Sequence, residues 1–266
     1  MKSPLSHLGS LVLAILLVFC LLLMAENTFA VSSDNLPDDG KIEVVYPADK
    51  LAPYRERRGP WSAIFAVQME QLKFDQYRSQ IGDEPYSQLF GDTPFDILQL
   101  QVGAKYNFGL GSIGLTLLGG QGQLAGGQIR DLETTDPRYG FNTDLSLIKY
   151  GGSASLVFDN MFSEPYIAPY IEGQAFVWDW KESSGKADVG SSEKSGTTSI
   201  SMAFTFGVLF QLNWLDPNSA ITAQDSSGLN NTYLDIFVSQ HNSSGADDEP
   251  NFQTEVDYGA GLRFEF

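Results

Sequence analysis

Between Ile200 and Trp214 the chain alternates with a period of two. Ile200, Met202, Phe204, Phe206, Val208, Phe210, Leu212 and Trp214 fall on one side, and Ser199, Ser201, Ala203, Thr205, Gln211 and Asn213 on the other. Successive side chains of a strand point to opposite faces, so the pattern specifies a strand with one apolar and one polar face. Its fifteen residues exceed the ~5–6 usual in soluble proteins and pass the ~9–11 of a tilted strand that crosses a bilayer.

Seven further segments read the same way. Trp61, Ala63, Phe65, Val67 and Met69 oppose Ser62, Gln68 and Glu70, with Ile64 out of phase. Leu98 to Phe108 alternates against Gln99, Gln101, Lys105 and Asn107, and Ser112 to Gln121 is shorter and rich in glycine. Ile148 to Phe158 alternates against Lys149, Ser153 and Ser155. Tyr166 to Trp180 is aromatic in both phases, which leaves its facing open. Leu234, Ile236 and Val238 oppose Asp235 and Ser239, and the chain closes on Val256, Tyr258, Ala260, Leu262, Phe264 and Phe266.

The links between these segments alternate in length. Asp75 to Pro94 is long and Gly109 to Gly111 short; Gln123 to Thr143 is long and Asp159 to Pro165 short; Lys181 to Thr198 is long again. Leu215 to Leu229 is longer than the pattern prefers, and His241 to Asn251 ends the series. Such alternation marks an even-stranded barrel with its termini on the periplasmic side. Closure gives every strand backbone a partner in lipid, and eight strands leave an interior filled by side chains rather than a wide pore.

The expected fold is therefore all-β, an eight-stranded antiparallel transmembrane β-barrel over residues 61–266, with short periplasmic turns and long extracellular loops. Aromatics near the ends of the segments are expected to form interfacial girdles: Trp61, Tyr106, Phe108, Phe158, Trp178, Trp180, Trp214, Phe264 and Phe266. The competing arrangement is a large soluble sandwich with its apolar stripes turned to a core.

Residues 1–30 are set aside from the fold. Lys2, the apolar run from Leu11 to Ala25, and Thr28, Phe29 and Ala30 read as a cleaved export signal. That run falls short of the ~20 residues a spanning helix needs, and no later segment reaches that length. The one cysteine, Cys20, lies within it, so the exported chain is expected to have neither disulfides nor thiolate sites. Residues 31–60, with Arg55, Arg57 and Arg58, read as a periplasmic N-terminal leader that is a solvated tail. A formal net charge of −17 argues against nucleic acid as a partner and fits solvated acidic loops.

Motifs that carry chemistry are few. Gly119 to Gly127 lacks the lysine and the strand–loop–helix context of a phosphate-binding loop, and reads as an outer loop. Asp247, Asp248 and Glu249 lack the spacing of a calcium loop and read as a solvated tip. No cofactor and no metal are expected. One constellation stands out: after signal removal His241 is the only histidine, and Ser243 lies two residues on. Counting in twos from Asp235 reaches His241 and Ser243, and counting back from Glu265 reaches Glu255, so the three share a phase across the last hairpin. A hydroxyl, an imidazole and a carboxylate brought together can activate the hydroxyl for acyl transfer. The plainer reading of His241 is a rim residue that begins a loop.

The tail, VDYGAGLRFEF, resembles the closing strand of bacterial outer-membrane β-barrel proteins, which typically end in Phe with aromatic or apolar residues at every second position before it. Here these are Phe266, Phe264, Leu262, Ala260 and Tyr258. The resemblance implies the outer membrane of a Gram-negative bacterium, contact with outer-membrane lipid and lipopolysaccharide, and recognition of the last strand by the barrel assembly machinery. The last hairpin resembles, more narrowly, the lipid A 3-O-deacylase (acyloxyacyl hydrolase) family of eight-stranded barrels. That family has a His-x-Ser-Asn motif followed by an acidic residue, and HNSS with Glu255 looks like it. Ser244 departs from the family's Asn, and the counted phase turns the trio toward the lumen.

That narrower resemblance implies Ser243 as nucleophile, His241 as base and Glu255 as the group that orients it. Two functions stay open: an envelope-structural or surface-interaction barrel with acidic loops, and an esterase removing an acyl chain from lipopolysaccharide. The sequence does not fix an oligomeric state.

Overall fold

The computed structural model describes residues 54–125, 142–161, 164–186, 190–246 and 248–266. The export signal, the leader as far as residue 53, the middle of the Gln123–Thr143 link and Asp247 lie outside the described residues. The described chain contains nine strands: β1 (Trp61–Leu72), β2 (Phe95–Asn107), β3 (Ser112–Ala125), β4 (Asn142–Val157), β5 (Ile167–Lys186), β6 (Gly190–Thr197), β7 (Ser201–Gln211), β8 (Asn231–Asn242) and β9 (Asp257–Glu265). Three helices accompany them: α1 (Tyr54–Arg57), α2 (Tyr86–Phe90) and α3 (Pro217–Ser227).

Eight strands close a barrel, each antiparallel to its neighbours. β1 pairs with β2 from Trp61↔Tyr106 to Leu72↔Phe95, and with β9 from Ile64↔Glu265 to Gln71↔Tyr258. The last residue completes that seam, since Ala63 and Phe266 exchange two backbone hydrogen bonds of 3.0 Å. The long strand β5 pairs with β7 in its first half and with β6 in its second. β6 therefore continues the course of β7 past the loop-end rim.

The barrel is inside out compared with a soluble protein. Leu115 and Phe206 on the outer face are 66% and 62% exposed, whereas Lys149 and Glu182 on the inner face are fully buried. Among the described residues no helix is long and apolar enough to cross a bilayer; the apolar belt is carried by strands, as a β-barrel in lipid requires. Trp61 and Tyr106 meet on the outer face at the short-turn end with ring centroids 5.0 Å apart. Ile64, out of phase by sequence, is buried on the inner face.

Several expectations are corrected. Trp178 and Trp180 are not girdle residues: both are buried, in phase with Glu172, Gln174 and Glu182. The Lys181–Thr198 link is largely the β5–β6 hairpin, held by pairs such as Lys181 with Glu193 at 2.9 Å. The glycine-rich stretch is strand as far as Ala125. The over-long Leu215–Leu229 link contains α3, started by the Asp216 side chain, which accepts from Ser219 N, and ended by Gly228 at φ 71°. Nor do all of the basic residues ahead of the barrel belong to a solvated tail, since the side chains of Arg57 and Arg58 are only 2% and 8% exposed.

Close packing inside the barrel depends on glycine where a ring crosses the neighbouring strand. A Cβ on Gly259 would lie 2.1 Å from the Phe237 ring, so only glycine admits that ring.

Candidate functional site

The interior is where the functional groups gather, and at mid-height the strands supply matched polar side chains. Arg263 of β9 donates to Asp235 of β8 at 3.1 Å, Tyr170 of β5 donates to the same carboxylate at 2.9 Å, and Gln68 of β1 donates to it at 2.9 Å. Glu172 accepts from Gln101 at 3.1 Å and Gln174 at 2.9 Å. The bonds of Tyr170 and Gln68 to Asp235, and of Gln101 to Glu172, join strands that are not neighbours in the sheet. Buried polar groups need such partners, and satisfied networks in low dielectric are rigid.

Toward the loop end lies His241. Its Nε2 is 3.1 Å from the Lys149 ammonium, which also donates to Gln174 at 2.7 Å. An ammonium only donates, so Nε2 accepts and the ring hydrogen is assigned to Nδ1, 3.5 Å from Asp257 Oδ2. Glu70 Oε2 lies 3.8 Å from Nε2 and 3.9 Å from Lys149, and Ser239 donates to the other Glu70 oxygen. Phe176 and Trp178 cover the group, with ring centroids 5.6 and 6.1 Å from the imidazole.

Above it the link from β1 to β2 folds into the mouth instead of standing out in water. Phe74, Tyr77, Tyr86, Leu89 and Phe90 are buried against Phe95, Trp178 and Phe252. The fastening is Glu182 of β5: Tyr77 donates to it at 2.9 Å, Gln80 N at 2.7 Å, and the Ser79 hydroxyl to its other oxygen. Burial, together with the charge of Glu182, pushes the Tyr77 phenol well above its ordinary range, so it stays a donor at any physiological pH.

The three residues singled out by sequence are separated. His241 is buried in the lumen, Ser243 accepts from Gly245 N at 3.2 Å at the rim, and Glu255 is exposed. No hydrogen bond or ion pair among the described residues joins any two of them. The counted phase fails because β8 ends at Asn242 and β9 begins at Asp257, and alternation holds only inside a strand. The carboxylates that do face His241 are Glu70 of β1 and Asp257, the latter one step further along the same phase, and the hydroxyl on its own strand is Ser239.

Distant likenesses accompany this geometry. The chain resembles Ail, the attachment invasion locus protein of Yersinia pestis, at 16% identity and a TM-score of 0.40, covering 79% of this chain and 100% of that one. The same protein in complex with the heparin analogue sucrose octasulfate matches at 14% identity and a TM-score of 0.39, over 77% and 97% of the two chains. Neisserial surface protein A matches at 16% and 0.36, over 77% and 96%. No family model and no curated protein matches the chain. Similarity this remote assigns no activity.

Near the turn end, a void bounded by Ile64, Lys105, Tyr233, Arg263 and Glu265 has a volume of about 10 Å³, roughly what a single water needs.

Proposed function

We propose that the protein is an outer-membrane barrel of a Gram-negative bacterium that conducts nothing and acts by presenting its closed, acidic loop end to molecules outside the cell. The observation that carries the reading is the filled lumen: a polar network at mid-height, an aromatic lid above it, and basic side chains buried below. A binding platform gains from such rigidity, because loops fastened to one another lose little freedom when a partner arrives. The loops are fastened: Glu249 of the β8–β9 link accepts from Ser199 N at 2.8 Å and from Ser244 at 2.6 Å. Within this reading lipid and lipopolysaccharide surround the belt, and the strand ending at Phe266 addresses the barrel assembly machinery.

The esterase alternative on His241, Ser243 and Glu255 draws on the resemblance of the last hairpin. Against it stand the occupation of His241 by Lys149, Glu70 and Asp257 and its separation from Ser243 and Glu255.

Two measurements test the platform. Because the exported chain has no cysteine of its own, Ser192→Cys on β6 and Ser226→Cys on α3 can be labelled on intact cells with a membrane-impermeant maleimide. The β6 position is expected to label and the α3 position not; the reverse pattern overturns the orientation. Purified protein in planar bilayers is expected to show no steady conductance, and a persistent open channel overturns the filled-lumen reading.

A further inference from the structure

The end of the barrel that carries Trp61 and Phe266 holds three carboxylates with too few cations of its own. Asp159 and Glu164 stand on the β4–β5 turn and Glu265 at the end of β9. The strands set Lys105 against them, 2.7 Å from Asp159 and 2.8 Å from Glu265. Arg263 is engaged with Asp235 instead.

The missing charge comes from the segment just ahead of β1. Arg57 donates to Glu164 at 3.1 Å and to the Asn230 carbonyl at 2.7 Å. Arg58 donates to Asp159 at 3.4 Å and to the Phe108 carbonyl at 2.7 Å. The Tyr54 hydroxyl donates to Glu265 at 2.8 Å and accepts from Lys105 at 2.9 Å, and Tyr54 N donates to Glu164 at 2.7 Å. The tyrosine is fully buried.

These partners lie on the β2–β3 turn, the β4–β5 turn, the start of β8 and the end of β9, between 50 and 211 residues away. In an open sheet those four places are strung out along one rim. They become a ring around one tyrosine and two arginines only when β9 has met β1. We propose that Tyr54 to Arg58 is a latch: it engages after the barrel has closed, and it slows reopening rather than helping closure. Two physical arguments support this order. Contacts across such long separations are unfavourable to form before the intervening chain is placed. Interactions absent from the transition state act on the unfolding rate and leave the folding rate alone. Once seated, the latch is costly to withdraw, because buried carboxylates then lose their cations.

The test uses the full-length exported protein. Barrel opening is followed by the loss of heat-modifiable gel mobility at fixed temperature in detergent, and closure by its appearance after a synthesis pulse in cells. The double substitution R57A/R58A is expected to open about tenfold faster while closing within about twofold of wild type. Tyr54→Phe, which removes one hydroxyl, should shift opening in the same direction by less, and reads the latch even if the double variant does not accumulate. The swap Arg57→Glu with Glu164→Arg should recover part of the lost lifetime. Opening at the wild-type rate in both variants overturns the latch, and so does slowed closure with unchanged opening, which would make the segment a nucleus instead.

Discussion

The imidazole of His241 on β8 and the ammonium of Lys149 on β4 face each other across the lumen at 3.1 Å. Neither strand is a neighbour of the other in the sheet, so this contact ties opposite walls together. Lys149→Met should leave Glu70 and Asp257 without their central cation. Breaking a buried charge pair on one side costs ~3–5 kcal/mol, to be measured as a lower urea midpoint for the protein folded into lipid vesicles. A midpoint equal to wild type would show that the network contributes nothing to stability.

Ser243→Ala makes the opposite case. A half-exposed rim hydroxyl contributes within ~0.5 kcal/mol, so the vesicle midpoint should not move. Mass spectrometry of lipid A from cells with and without the protein should give the same acyl pattern. Loss of one acyl chain with wild type, abolished by Ser243→Ala, would establish the esterase in place of the platform.

Removing the carboxylate of Glu182 should free the lid. Hydrogen bonds to a charged group contribute ~1.5–3 kcal/mol each, and this carboxylate takes donors from Tyr77, Ser79 and Gln80. In Glu182→Ala the Lys73 and Arg78 peptide bonds should become cleavable by trypsin on intact cells, with the barrel itself still resistant to heat in gels. A lid that stays uncut would mean that its aromatic packing alone suffices.

Gly259→Val should fail to accumulate as folded barrel, because its side chain would occupy the space of the Phe237 ring. Overpacking of this kind usually costs ~1–3 kcal/mol, and here the clash includes the ring itself. Adding Phe237→Ala should restore folded protein in part. If the double variant is no better than the single one, the close approach is not the reason for glycine.

The fastening of the outer links should depend on pH in one direction. Burial opposes ionisation of Glu249, but hydrogen bonds from Ser244 and Ser199 hold its carboxyl below the ordinary value. A depressed folded value means that the contribution is fully present above the unfolded value and is lost as pH falls through the folded one. Protease cutting between Ser243 and Asn251 should therefore rise only below the usual carboxylate range, modestly given how open the site is to water. Cutting that rises toward alkaline pH instead would contradict the assignment.

The eight-fold alternation made the barrel legible from residues alone, because inside and outside are set by a period that each strand repeats independently. The facing of Tyr166 to Trp180 was not, since aromatics occupy both phases. Glu172, Gln174 and Glu182 carried the answer, as a polar side chain in a lipid-bathed strand belongs inside. The lid escaped for a related reason: Phe74, Tyr77, Tyr86, Leu89 and Phe90 are spread among polar residues with no period to betray a shared destination. At the site, counting places His241, Lys149 and Glu70 inward one strand at a time, but nothing local says that the three meet. Pairing across a lumen is a property of closure, and closure leaves no trace in any one segment.

The strands of this barrel differ greatly in length, from nine residues in β9 to twenty in β5. At about 3.3 Å per residue the difference is roughly 36 Å of strand, all of it gained at the loop end, because the short turns hold the opposite rim level. A molecule shaped so has a front and a back in the plane of the membrane. The wall on the side of β9 and β1 is a low sill, while the wall built by β4 and β5 is a parapet that stands well above it.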